Sequence, residues 1–259
     1  MSDCIVVLYL TLIALPGLGG MTMAGRSPDV ASQTSVSSPV ADDDPDVLYA
    51  GREDLAKARR ALEIWNAHIA ATPSNFEATW KASRARYWLG SHDAPPSRRA
   101  HLEAGVQAGR TAVGLEPTRV EGHFWAAANM GALAESFGLR QGLKYRSAIR
   151  EFLERALAID PSYLGGAPDR ALGRWYFKVP GLFGGSNEKA VTHLQRSLTY
   201  KADSTVTRYF LAETLLDMDR PAEARTELQR VIDAPFDPDW APEDREWKAK
   251  ARALLDKGR

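Results

Sequence analysis

The chain has 259 residues, enough for one large domain or a continuous repeat array. Its 33 Lys and Arg balance 33 Asp and Glu, interspersed along the chain, so no overall charge draws it toward nucleic acid or anionic lipid. A single cysteine, Cys4, excludes an intramolecular disulfide and a thiolate metal centre, which leaves apolar packing to hold the fold.

Residues 5–15 form an apolar run broken only by Thr11 and ended by Pro16 and Gly17. Thr22 and Ala24 then place small residues where a signal peptidase reads them, predicting a signal peptide over residues 1–24, cut near Ala24. Its polar start carries Asp3 and no Lys or Arg, which departs from the usual leader. The other reading is an uncleaved anchor, for which Pro16, Gly17, Gly19 and Gly20 make a poor spanning helix. The expected location is therefore periplasmic or extracytoplasmic. Residues 25–46, rich in Ser, Pro and Asp, read as a disordered linker, and residues 47–259 as the folded domain.

Within that domain three helices end alike, at Thr72-Pro73, Glu116-Pro117 and Asp160-Pro161, with the prolines 44 residues apart twice. Proline cannot continue a helix and restricts the residue before it, so each marks a helix end. Ahead of each lies an amphipathic stripe: Leu55, Leu62, Trp65 and Ile69; Leu102, Val106 and Val113; Ile149, Leu153, Ala156 and Ile159. Gly105 and Gly109 would let two helices approach closely. After each proline a second helix follows, near residues 76–89, 120–137 and 168–177. At the 44-residue offset Tyr87, Gly131 and Trp175 correspond, as do Leu89, Leu133 and Phe177.

Farther on, Ala190-x3-Leu194 recurs 34 residues later as Ala224-x3-Leu228. Thirty-four is the tetratricopeptide (TPR) length. A last helix over residues 242–257, with Trp247, Ala251 and Leu254 on one face, would cap the stack. No alternating β-branched run argues for a strand. The expected fold is all-α: a right-handed α-solenoid of TPR-like hairpins with a C-terminal capping helix.

The segments Trp80–Tyr87, Trp125–Gly131, Leu172–Tyr176 and Val179–Ser186 resemble the T component (TatT) that accompanies TRAP-type periplasmic transporters. They also resemble the TPR domain of the regulator-of-microtubule-dynamics family. The TatT resemblance implies a periplasmic solenoid with a central apolar pore or groove, partnering an extracytoplasmic solute-binding protein. The chain departs from that family in its leader, where Cys4 precedes the apolar run and no lipobox follows.

No catalytic pattern stands out. The five histidines (68, 92, 101, 123 and 193) include no His-x3-His pair to seat a metal on one helix face. Residues 181–186 are glycine-rich but lack the lysine of a phosphate loop, and read as a turn between helices with Ser186 or Asn187 capping the next. Neither a Gly-x-Ser-x-Gly elbow nor an acid/base carboxylate pair is evident. The tryptophans read as core. No enzymatic activity and no cofactor are expected.

Binding is instead expected on the concave face, lined in TPR arrays by the first helix of each pair. Arg86, Met130 and Arg174 are read as exposed there, with Leu89, Leu133 and Phe177 one turn later and Arg170 one turn before. Such a face suits a protein partner, such as a periplasmic solute-binding protein, or a small amphipathic or lipophilic ligand. The function read from this is an exported binding component accessory to a periplasmic transport system, or alternatively an envelope scaffold gripping a peptide or partner helix. An enclosed tunnel would favour the first and an open groove the second. Membrane contact is expected only through an uncleaved leader.

Overall fold

A computed structural model describes residues 44–257. The expected leader, and all of the linker but its last three residues, lie outside them. Among the described residues there are eleven α-helices, two 3-10 turns and no strand.

Helices α1 (Pro45–Ala50) and α2 (Leu55–Ala71) open the array. Four antiparallel hairpins follow: α3 (Phe76–His92) with α4 (Pro95–Leu115), α5 (Val120–Ser136) with α6 (Leu139–Ile159), α7 (Tyr163–Lys178) with α8 (Asn187–Tyr200), and α9 (Thr205–Asp217) with α10 (Pro221–Asp233). α11 (Ala241–Lys257) packs against α9 and α10. The fold is an all-α solenoid of TPR type in which each layer covers its neighbour's apolar flank.

The proline signal works as its chemistry dictates. Each of α2, α4 and α6 closes with the backbone N–H of Thr72, Glu116 or Asp160 donated to the carbonyl four residues back. The proline then forces a turn, and Asn75 starts α3 by accepting the Ala78 N–H at 3.0 Å. The linker expectation needs one adjustment: Asp44 caps α1 by accepting the Asp46 N–H, so helix begins at Pro45 rather than near Val47.

The first helices of successive hairpins touch one another (α3 with α5, α5 with α7, α7 with α9), so they form the inner wall and the second helices the outer. Close approach rests on the small residues. A Cβ on Gly109 would lie 2.7 Å from the Ala126 backbone, and one on Gly105 would lie 2.1 Å from Asn129 Oδ1. Asn129, fully buried, donates to the carbonyls of Ser83 and Trp125, while Ser83 Oγ donates to the Gly105 carbonyl, tying α3, α4 and α5 together. α7 enters through three left-handed residues, Leu164, Gly165 and Gly166, and runs straight from Ala167 with Pro168 in its first turn.

The curvature brings the α1–α2 turn onto the start of α11. Arg52, buried, donates to Glu243 through Nε at 3.0 Å and a terminal nitrogen at 2.5 Å, and also to the Asp239 carbonyl at 2.8 Å. Arg245 pairs with Glu53, and His92 Nε2 stands 3.5 Å from Glu246. No apolar cluster spans this junction: one groups residues of α1–α3 and another residues of α8–α11. Charged side chains therefore close the array on itself.

Candidate functional site

The curved inner wall lines a chamber of about 1300 Å³ that is partly open to solvent. α3 contributes Trp80, Arg84 and Tyr87, α5 the small stretch Ala127, Ala128 and Gly131, α7 Arg170, Arg174 and Trp175, and α9 Tyr209 and Phe210. Trp240 and Trp247 complete the wall from the α11 side. A Cβ added to Gly131 would meet nothing within 4 Å, so this part of the α5 floor is open space.

The wall is aromatic and its charges are unevenly satisfied. Arg174 reaches across three layers, donating to Glu135 of α5 through two nitrogens at 3.0 Å and to Glu213 of α9 at 2.6 Å. It also stacks over Phe210 at 4.3 Å. Burial opposes its charge, but the two carboxylates outweigh that and raise its pKa. Glu243 is likewise held by Arg52. Arg170 and Arg146, by contrast, have no carboxylate partner among the described residues. Burial pushes the Arg170 pKa down to about 10, with Tyr87 and Glu243 only partly offsetting it. Desolvation raises Tyr87 to about 12, so its hydroxyl stays protonated and able to donate. The chamber thus combines a broad apolar face with an arginine whose charge is not neutralised locally.

The structure separates the residues expected to form the concave face. Arg170 and Arg174 stand on the wall. Leu89, Met130 and Leu133 do not: each is fully buried between helices. Arg86 turns outward toward Asn66 of α2, 3.4 Å away. Phe177 packs half-buried into the central core, with Arg174 and Lys178 over its ring. The stripe on α3 and α5 is rotated by one residue, about 100°, from the expected one. The aligned trio Tyr87, Gly131 and Trp175, visible in the 44-residue offset, is the set that lies on the wall. Arg174 is also more than an exposed arm, since it ties α5, α7 and α9 together.

The tryptophans, for which core was the expected default, divide between two environments. Trp65 is buried there, but Trp80, Trp240 and Trp247 are only half-buried and face the chamber. Among the described residues no group of three or more His, Cys, Asp or Glu could hold a metal. His68 is exposed and His123 contacts the Pro117 carbonyl at 2.9 Å. The glycine-rich 181–186 segment is a 3-10 turn, and Ser186 caps α8 by accepting the Lys189 N–H at 3.3 Å.

Hairpins stacked in regular succession around a concave wall define a tetratricopeptide-type helical-repeat protein, a class that generally supplies protein-binding scaffolds and is typically non-enzymatic. The tetratricopeptide repeat family model matches residues 185–255. The model of the Regulator of microtubule dynamics protein 1-3 family matches residues 43–184, more than half of the chain, and the chain belongs to that family. No curated protein matches it in sequence. Among solved structures it is similar to TTC0263, a thermophilic TPR protein of Thermus thermophilus, at 22% identity. The match covers 83% of this chain and 99% of that one, with a TM-score of 0.62. MamA is similar at 17% identity over 77% of this chain and 95% of its own, with a TM-score of 0.45.

Proposed function

We propose that this protein is an exported binding component whose chamber holds an amphipathic molecule carrying an acidic group. The observation that carries the reading is Arg170: it stands in an aromatic wall at a depressed pKa with no carboxylate paired to it, whereas Glu135, Glu213 and Glu243 are already engaged. An arriving carboxylate or phosphate would gain a charge-assisted, bidentate partner, and its apolar portion would displace water from Trp175, Tyr209 and Phe210. The volume of about 1300 Å³ exceeds that of an ordinary drug-sized site, which favours an elongated ligand. The periplasmic location and the transport-accessory role belong to this proposal, supported by the apolar leader and the TatT-like segments.

Native mass spectrometry of the purified full chain tests the reading by showing what travels with it. In titrations, a long-chain fatty acid should bind the parent and lose about tenfold or more in affinity with Arg170→Gln, the scale of a charge-assisted hydrogen bond. The corresponding fatty alcohol should bind both proteins alike. Equal affinity of parent and variant for the acid would sink the chamber assignment.

A further inference from the structure

One edge of the molecule has an unusual surface. The turn between α7 and α8 carries Leu182, which is 90% exposed, next to Phe183 at 39%. Leu143 of α6 is also exposed, and Arg146 lies over the Phe183 ring at 5.1 Å, bringing the start of α6 to this turn. Phe183, Leu143, Arg146 and Lys178 also line the chamber, so this edge adjoins its mouth.

The turn is built to keep Leu182 outward. Phe183 and Gly185 donate their N–H groups to the Pro180 carbonyl at 2.8 and 3.3 Å, and Ser186 N–H donates to the Tyr176 carbonyl at 2.9 Å. A Cβ on Gly185 would fall 1.6 Å from the Val179 carbonyl, so only glycine fits. A loop held this tightly has no freedom to fold its leucine back.

The charges here are one-sided. Residues 138–150 hold four cations and no carboxylate, and residues 170–187 hold three cations and no carboxylate. Folding sets the two stretches side by side. The carboxylates flanking the two stretches are Glu135, Glu151, Asp169 and Glu188. Arg174 is taken up by Glu135 and Glu213, Arg150 by Glu154, and buried Asp169 by His193. Besides Arg170 on the chamber wall, this leaves Lys144, Arg146 and Lys178 as the cations here with no carboxylate in ion-pair range among the described residues.

We propose that this edge docks on an anionic bilayer surface, with Leu182 and Phe183 entering the headgroup boundary and Lys144, Arg146 and Lys178 meeting lipid phosphates and carboxylates. A projecting apolar knob with nothing around it suits a fluid layer, which conforms to any shape, and long basic side chains can lay their stems on the apolar zone while their heads stay wet. The cations match a negative surface. The contact shares Phe183, Arg146 and Lys178 with the chamber mouth and does not use the apolar leader.

The test places a nitrobenzoxadiazole dye on the turn of the full chain carrying Cys4→Ser and Leu182→Cys. Mixed with equimolar phosphatidylcholine–phosphatidylserine vesicles, its emission should rise and shift to the blue, and with phosphatidylcholine alone it should not. The same dye on the outer helix, at Gln195→Cys, should stay aqueous in both. Adding Lys144→Glu and Lys178→Glu should weaken vesicle affinity about tenfold or more, with the melting curve unchanged. The proposal is overturned if the turn dye keeps aqueous emission on the anionic vesicles, even where the chain sediments with them through another segment. It is equally overturned if pure phosphatidylcholine gives the same response, or if soluble polyglutamate shifts the dye and vesicles do not.

Discussion

Asp93 shows how one side chain can stabilise a helix junction in this array. Buried where α3 ends, its carboxylate accepts hydrogen bonds from Arg59 at 2.6 Å, from the Ala94 N–H at 2.7 Å and from His101 at 3.2 Å. The Arg59 hydrogen bond, more than anything else, holds its pKa down from 3.8 to about 2. A depressed carboxylate stabilises the folded state fully above its unfolded pKa and loses that contribution as pH falls through the folded value. His101, lowered chiefly by burial, acts in the same direction, because protonating it favours the unfolded chain below its ordinary pKa. The contribution of Asp93 and His101 is therefore expected to be flat above about pH 6.5 and to fall through the acid range. Asp93→Asn should cost about 2 kcal/mol at neutral pH and flatten the lowest part of that fall, as urea titrations across pH would show. Arg170 is the contrasting case. With no carboxylate in ion-pair range, and Tyr87 and Glu243 only partly offsetting its desolvation, its place in the wall supports a binding role.

For helices, the informative residues are the glycines, and two that look alike in the sequence behave oppositely. Gly109 of α4 lies against the α5 backbone, whereas Gly131 of α5 faces the chamber. Gly109→Ala should destabilise by about 1–3 kcal/mol through overpacking, despite its better helix propensity. Gly131→Ala should stabilise by up to about 1 kcal/mol, because its methyl group meets no neighbour and the helix loses a flexible residue. Chemical denaturation of both variants checks the pair, and a destabilised Gly131→Ala would mean the α5 wall is wrongly placed. Small residues were readable in the sequence as sites of close approach, but the face each occupies was not. The expected concave stripe of Arg86, Met130 and Arg174 missed by one residue on α3 and α5, because a step of about 100° separates wall from core. On α7 the wall is wider and takes in Arg170 and Arg174 beside Trp175. It follows a left-handed entry at Leu164, Gly165 and Gly166 that no periodic pattern announces.

At the scale of the whole array, closure rests on Arg52. It bridges Glu243 and the Asp239 carbonyl while its guanidinium lies over Tyr49, Trp88 and Trp240 at 5.3–5.8 Å. Removing it leaves Glu243 at the junction without its cation, a loss of about 3 kcal/mol by analogy with other partly buried pairs. Arg52→Ala should therefore open the ring, raising the radius of gyration in X-ray scattering and speeding hydrogen exchange in α1 and α11. The α4–α6 core should remain protected. High salt should act on the parent in the same direction but less strongly, since exposed pairs such as Arg245–Glu53 are screened before the buried one. An unchanged scattering profile in the variant would show that packing elsewhere holds the ring.

The sequence by itself determined most of the helices, the proline-marked ends and the succession of hairpins, though not α1 or the entry to α7, because these depend on short-range chemistry: proline's missing N–H, a 3.6-residue apolar period, capping side chains within three residues of the backbone they satisfy. Only the tertiary structure decided that the array closes, which residues face the chamber, and that Lys144, Arg146 and Lys178 come together at one edge. Those properties rest on contacts such as Arg52 with Glu243, 191 residues apart, and on helix rotations too fine for a periodic pattern to resolve.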